Sequence, residues 1–304
     1  MAGPVNTGSY PKALWEGVRA WWDSAAASAP QFAPVLFKKE TSTKNYEEYV
    51  QSVGPGIAVV KPEGTPISYD GMQQGFVTRG TNVAYGLGII TTHEELKDNL
   101  YMKLTKNRVM KLRRAFDETR NINAANMYSR AFTAGYNGGD GVSLLNATHP
   151  NFSGGTWANK LGVDAALSQA ALEDMLTLMM QSKDDKGYIE PLLGEKLIVH
   201  PFNKFTADRI LGTSKQTGNN NNDINPINVQ NLIPGGAIVC PYLGGTGPWF
   251  ITTNAQEGLI WQEREGLEIW EDNDADTRNF KVGAYERYTF LWANARGLYG
   301  SNAA

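Results

Sequence analysis

One cysteine, three histidines and no long apolar run: the sequence is short of the residues on which much chemistry and all helical membrane insertion depend. The lone Cys240 can close no intrachain disulfide, and the cysteine-rich zinc spacings are missing with it. No window reaches the roughly 18 apolar residues of a membrane span. The opening MAGPVNTGSYPKALWEGVRAWW lacks the basic-then-apolar order of a secretion signal, so the chain is expected in the cytoplasm where it is made, with no membrane partner. Charge is scarce too. At 19% charged residues and a net charge of -3, the chain lacks the basic surplus of proteins that grip phosphate backbones, which argues against a dedicated DNA reader.

The histidines do not assemble into chemistry. His93-Glu94-Glu95 has no second histidine four residues on, so the zinc-protease helix pattern fails. Cys240 sits in AIVCPY, the apolar setting of an inert thiol rather than of a nucleophile. GYNGGDG has no Lys-Ser/Thr ending and follows a helix where a phosphate loop precedes one. DNDAD, from Asp272, has carboxylates without the glycine and closing glutamate of a calcium loop, and reads as a solvated hairpin turn. The expectation is a protein with no catalytic, cofactor or metal site.

What is present is apolar material, 41% of 304 residues, enough for one large domain or two ordinary ones. Residues 12–28 place Leu14, Val18, Trp21 and Trp22 at helical spacing between Pro11 and Pro30. Those tryptophans either pack on the protein's own body or a neighbouring copy, or anchor to a partner or a membrane surface. From Val53 to Ile90 the texture turns to glycine, proline and β-formers. Val59 and Val60, then ISYD, then GFVTRGTNVAYGLGII predict a long hairpin with little core of its own, marginally stable alone.

Residues 91–132 then run without a single glycine or proline. Thr92 and Glu95 match a capping box, and an apolar stripe from Leu96 to Met127 changes phase near Asn107. A helix over about 92–133 would be about 60 Å long, more than a compact domain needs, and is expected to act as a spine. Its basic run, Lys103 to Arg114, could meet phosphate backbone nonspecifically, but reads rather as a solvated face or a match for a neighbour's acids. Beyond a glycine cluster come a helix with Leu167, Ala171, Leu172, Met175, Leu176 and Met179 on one side, a strand at EKLIVHP and a short helix at FNKFTADRILGTS. GGAIVCPYL and GPWFITT are expected to pair around a glycine turn, after an exposed asparagine loop, and two or three strands close the chain from Gly258.

In this order the parts, with GVSLLNATHP after the spine and the closing ANARGLYGS, resemble the major capsid proteins of tailed bacteriophages, with the Hong Kong 97-type α+β fold, and in texture the Mu-like head subunits. The resemblance implies an N-terminal arm at 1–53, an extended loop at 54–91 lying over an adjacent subunit, and a peripheral domain at 92–194 holding the spine. It further implies an axial domain at 195–257 and closing peripheral strands at 258–304.

It implies hexamers and pentamers of an icosahedral head in the virion around double-stranded DNA, which the inner face would meet nonspecifically. A separate scaffolding protein, a portal and a decoration protein are the implied partners. Candidate assembly contacts are Trp15, Trp21 and Trp22 in the arm, Lys61, Glu63, Tyr69 and Arg79 in the loop, Arg113 and Arg114 on the spine, and Asn220 and Asn221 in the asparagine loop. Lys61 is the only loop lysine, yet no acceptor for a covalent cross-link is visible. The alternatives are an encapsulin-like compartment shell, an α+β hydrolase using His149 or His200, and a carbohydrate-binding or adhesive module suggested by eight tryptophans.

Overall fold

The computed structural model describes residues 11–26, 30–97, 101–216, 223–274, 276–277 and 279–303. In chain order the elements begin with α1 (Pro11–Ala26), α2 (Ala33–Leu36), β1 (Lys38–Thr41), β2 (Tyr46–Val53), β3 (Gln73–Thr81), β4 (Val83–Thr91), α3 (His93–Lys97) and α4 (Tyr101–Ser129). After β5 (His149–Pro150) and β6 (Thr156–Trp157) follow α5 (Gln169–Met180), β7 (Gly194–Val199), α6 (Lys204–Gly212), α7 (Pro226–Val229), β8 (Ala237–Val239) and β9 (Trp249–Thr253). Two long strands, β10 (Leu259–Asn273) and β11 (Phe280–Trp292), and the short β12 (Leu298–Ser301) close the chain. They form two compact units, one within Met1–Asn45, Thr81–Ala124 and Trp261–Thr289, the other within Tyr46–Gly80, Ala125–Ile260 and Phe290–Ala304.

The first unit is a four-stranded sheet in the order β1-β10-β11-β4, with helices on one face. Helical spacing brings Val18 and Trp22 of α1 against Val109, Leu112 and Phe116 of α4, over Phe280, Val282 and Ala284 of β11. One turn beyond Phe116 the contact turns polar. Asp117, Arg120 and Glu286 are buried together, with Arg113 closing on Asp117 at 3.1 Å and Arg120 hydrogen-bonded to Glu286. Burial holds the Glu286 carboxyl above its ordinary value, and Arg120 offsets only part of that rise. A buried pair of this kind contributes less to net stability than to placement, since desolvation offsets most of the attraction.

The spine expected over 92–133 is seen in two described stretches. Residues 93–97 form α3, α4 starts at Tyr101, residues 98–100 lie outside the described residues, and the helix ends at Ser129. At about 1.5 Å per residue α4 is about 44 Å long. The capping box forms by half: the Glu95 N–H donates to Thr92 Oγ1 at 3.4 Å, whereas the Glu95 carboxylate turns to Arg108 at 2.8 Å, a charged partner stronger than a backbone N–H.

The second unit centres on a sheet in the order β12-β9-β7-β8, in which β7 is parallel to β8 and antiparallel to β9. The strands expected to pair with each other, GGAIVCPYL and GPWFITT, are therefore β8 and β9 on opposite sides of β7. Leu197 lies opposite both Ala237 and Ile251, and a strand buried on both faces needs two neighbours to satisfy its backbone. Ser168 caps α5 by accepting from the Ala171 N–H at 3.2 Å. The buried side of α5, Ala171, Leu172, Met175, Leu176 and Met179, packs in one core with Leu197, Val199, Ile210, Trp249, Ile251 and Tyr299. A boundary at 194/195 would pass through that core, in which α5 packs with residues of the 194–253 region.

The hairpin differs from its expected outline as well. Its strands are β2 and β3, so it starts at Tyr46, and neither Val59–Val60 nor ISYD is a strand. The run GFVTRGTNVAYGLGII is broken at Asn82, whose buried amide donates to the Lys44 carbonyl at 3.0 Å and accepts from Gln262 at 3.1 Å. Past that break β4 joins the first unit's sheet, with Thr91 opposite Phe280 and Val83 opposite Tyr288.

Candidate assembly surfaces

The β2–β3 hairpin carries a long connection, 54–72, in which no regular structure forms and every residue from 57 to 72 is exposed. Asp70 closes its base. One carboxylate oxygen accepts from the Gly56 N–H at 2.7 Å, the other from the Gly71 N–H at 2.8 Å, and Lys186 stands 3.6 Å away. Those N–H groups, then Lys186, hold the Asp70 carboxyl below its usual range. The Tyr188 hydroxyl accepts from the Ile57 N–H at 3.1 Å. Beyond this closure the loop presents Ile57, Val59, Val60, Ile67, Tyr69 and Met72, each between 62% and 92% exposed. Single exposed apolar residues are ordinary, but six in one loop mark a surface that meets something.

The hairpin is rooted by polar contacts. Gln51 of β2 hydrogen-bonds Asp185, which Arg296 approaches at 3.2 Å. Arg296 is buried, donates to the Lys183 carbonyl at 3.0 Å, and lies 4.3 Å over the Trp157 ring. Thr78 of β3 accepts from the Gly139 N–H at 3.3 Å, and Phe76 meets Phe152 edge to face at 6.3 Å.

Behind this root lies the point where GVSLLNATHP and ANARGLYGS meet. The Asn159 amide donates to the carbonyls of Leu144, Ala295 and Leu298, at 2.6, 3.1 and 3.2 Å, and its oxygen accepts from the Asn146 N–H at 2.9 Å. Gly300 leaves room for Leu145: a Cβ there would stand 2.8 Å from Leu145 Cδ1. His149, wholly buried and stacked on Trp157, faces Asp140 at 2.6 Å and the Asn159 oxygen at 3.1 Å. The two stretches that carry the family texture are thus two sides of one buried knot, and His149 is a structural member of it. His200 likewise works locally, accepting from the Phe202 N–H at 3.2 Å, and burial pushes the Cys240 thiol up.

The sequence-derived contacts divide into four groups. Lys61, Glu63 and Tyr69 are exposed on the loop, and Arg79 is an exposed hairpin residue whose guanidinium covers the Tyr46 ring at 3.5 Å. Trp22 is buried against Phe116 at 6.5 Å and Trp21 is half-buried beside the same cluster, so both serve their own unit; burial removes Trp22 from any outward surface. Arg113 lies 5.3 Å from the Trp22 ring and pairs with Asp117, while Arg114 is 75% exposed beside Glu118 at 3.5 Å. The Trp15 side chain, Asn220 and Asn221 lie outside the described residues. Sequence reading missed Asp70, Asp185, Arg296 and Asn159. Only Asp70 left a local signal, the Asp-Gly pair of a turn.

Comparison with known proteins gives a consistent picture. The phage capsid protein family matches residues 77–301, about three quarters of the chain. No curated protein matches the sequence. Among solved structures, the chain is similar to a virus-like particle from Pyrococcus furiosus at TM-score 0.55 and 10% identity, over 95% of this chain and 99% of that one. The procapsid of bacteriophage JBD30 aligns at TM-score 0.53 and 12% identity, over 99% of this chain and 77% of that one. The holo-SrpI encapsulin complex of Synechococcus elongatus PCC 7942 aligns at TM-score 0.51 and 10% identity, over 90% and 86%. At such identities the structures speak for the fold, which is the Hong Kong 97-type capsid fold, and the sequence family speaks for the role. The chain belongs to the phage capsid protein family and is a structural capsid protein.

Proposed function

We propose that this chain is the major head subunit of a tailed bacteriophage, assembling through hexamers and pentamers into an icosahedral shell around double-stranded DNA. The observation that carries the reading is the closed, apolar, fully exposed loop 57–72, which offers a neighbour what the subunit cannot bury itself. In a ring each subunit presents one surface and receives another, so contacts are heterologous and propagate. The loop 54–72 on its β2–β3 stem is the proposed extended loop, the unit around α4 the peripheral domain, and the unit around β7 and β9, with α5, the axial domain. Scaffolding, portal and decoration proteins are the proposed further partners, the bacterial cytoplasm the proposed place of assembly, and the Mu-like head subunits the proposed subgroup.

A cellular compartment shell is the second reading, favoured by the encapsulin and virus-like-particle likenesses. Electron microscopy and sedimentation of the protein, expressed alone and with its neighbouring genes, test both. Closed shells are expected, with DNA content marking a phage head and enclosed protein marking a compartment. The same chain lacking residues 58–69 is expected to fold and stay as free subunits. A monomer under every condition would overturn the shell reading.

A further inference from the structure

The first unit's sheet has one guarded edge and one open one. On one side it ends in β1, four residues long and carrying Lys38, Lys39 and Glu40. Shortness and charge are devices that keep an edge strand from recruiting another chain. On the other side it ends in β4, nine residues with the sequence VAYGLGIIT, without a charge or a proline. β11 occupies one side of β4, and among the described residues no strand pairs with the other. Val83, Leu87 and Ile90 are 48%, 53% and 59% exposed along it.

A second segment lacks its partner independently. Residues 56–60, GIAVV, have the composition of a strand, yet they belong to none, and Ile57, Val59 and Val60 are 72%, 69% and 92% exposed. Pro62, which has no N–H for a ladder, ends the segment. An uncharged strand-forming segment without a sheet and an uncharged sheet edge without a strand therefore occur in one chain. Each is unlike the other, which is what a heterologous contact between identical copies requires.

We propose that residues 57–60 of one copy add as a strand to the open edge of β4 in a neighbouring copy, extending that sheet to five strands. Main-chain hydrogen bonds supply the pairing, and the alternating side chains of Ala58, Val59 and Val60 fall on the two faces beside Val83, Leu87 and Ile90. The inference rests on the shell reading and names the surface by which the loop is received.

Cys240 is wholly buried, so introduced cysteines report without background. Cysteine is placed in turn at Ile57, Ala58, Val59 and Val60, each combined with Leu87→Cys, which samples both faces and the register. A control pair combines Leu87→Cys with Val163→Cys, an 83% exposed position elsewhere. Facing residues of paired strands lie about 4.5–5.5 Å apart at Cβ, close enough for mild oxidation to join them.

Oxidised shells are expected to give ladders of linked subunits from at least one loop position, at least tenfold above the control. Amide exchange of the unmodified chain is expected to slow at 57–60 and 83–90 on assembly, a readout that stands even if the variants fold poorly. Normal shells with no link above control and no slowing at 83–90 would overturn the strand addition while leaving the shell reading intact. Slowing at β4 only when a co-expressed protein is present would overturn the second copy as occupant. No assembly of the unmodified chain would overturn both.

Discussion

Two β-rich stretches of this chain have opposite fates. In β9 all five residues, Trp249–Thr253, are buried between β7 and β12, whereas in GIAVV, Ile57 through Val60 are all exposed. Trp249, Phe250 and Ile251 of β9 are apolar as the side chains of Ile57 through Val60 are, and two buried threonines complete the strand. The difference lies in what surrounds each: α5, α6 and two flanking strands around β9, and nothing comparable around Ile57–Val60 among the described residues. A subunit built this way keeps its stability in one place and leaves another place unfinished for a second copy. The comparison breaks most severely at Trp249, whose indole is wholly buried and donates to the Ala165 carbonyl at 2.9 Å. Trp249→Ala is expected to cost about 3–5 kcal/mol, read from the denaturant midpoint of the free subunit. A loss of under about 1 kcal/mol would mean that the β7–β9 core is not where the fold is held.

Between these extremes lies the hairpin root, where the Phe76–Phe152 contact stands beside polar contacts of Gln51 and Thr78. Arg296 brings together the Lys183 carbonyl, Asp185 and the Trp157 ring, and Asp185 in turn holds Gln51 of the hairpin. Arg296→Ala leaves Asp185 without its buried partner, a change expected to cost about 3 kcal/mol, at the low end for broken buried pairs because Asp185 keeps 11% of its side chain in water. Proteolysis should then open first within 46–80, ahead of global unfolding. If cleavage begins elsewhere, the root is not what ties the hairpin to its unit.

How much of this was legible in the sequence follows the same division. Elements with a local signal came through. The α5 stripe, the EKLIVHP strand, the α1 face and the acidic turn after β10 all depend on neighbours a few residues away. Pairings did not. Nothing near β8 or β9 says that β7, from about forty residues upstream, will lie between them, because backbone pairing in a sheet is not written in side-chain periodicity. Asn82 broke an otherwise continuous strand pattern by bonding to Lys44 and Gln262, residues that no window joins. The same distance hid the knot: Asn159 reaches carbonyls 136 and 139 residues away, and Arg296 reaches Asp185 across 111. The loop was the reverse case. Its composition predicted strands at Val59–Val60 and at ISYD, and among the described residues neither finds a strand to pair with.

The smallest effect is expected where the loop closes. Asp70 binds two backbone N–H groups and faces Lys186, and all three favour the carboxylate over the acid. Its folded-state pKa therefore lies below the ordinary 3.8, and the closure it provides is fully present above that value and fades as pH falls through the lowered one. In the free subunit the Gly56 and Gly71 amide resonances should move together in a single transition below pH 3.8. Asp70→Asn should reproduce part of that shift at neutral pH, because a neutral amide oxygen accepts more weakly than a carboxylate. Because the site is at the surface, the melting temperature should stay where it is while shell yield falls, since an open loop must be ordered before it can dock. Amide shifts that titrate separately, or at 3.8 and above, would show that Asp70 does not close the loop, and the contrast between a finished core and a prepared edge would lose its second half.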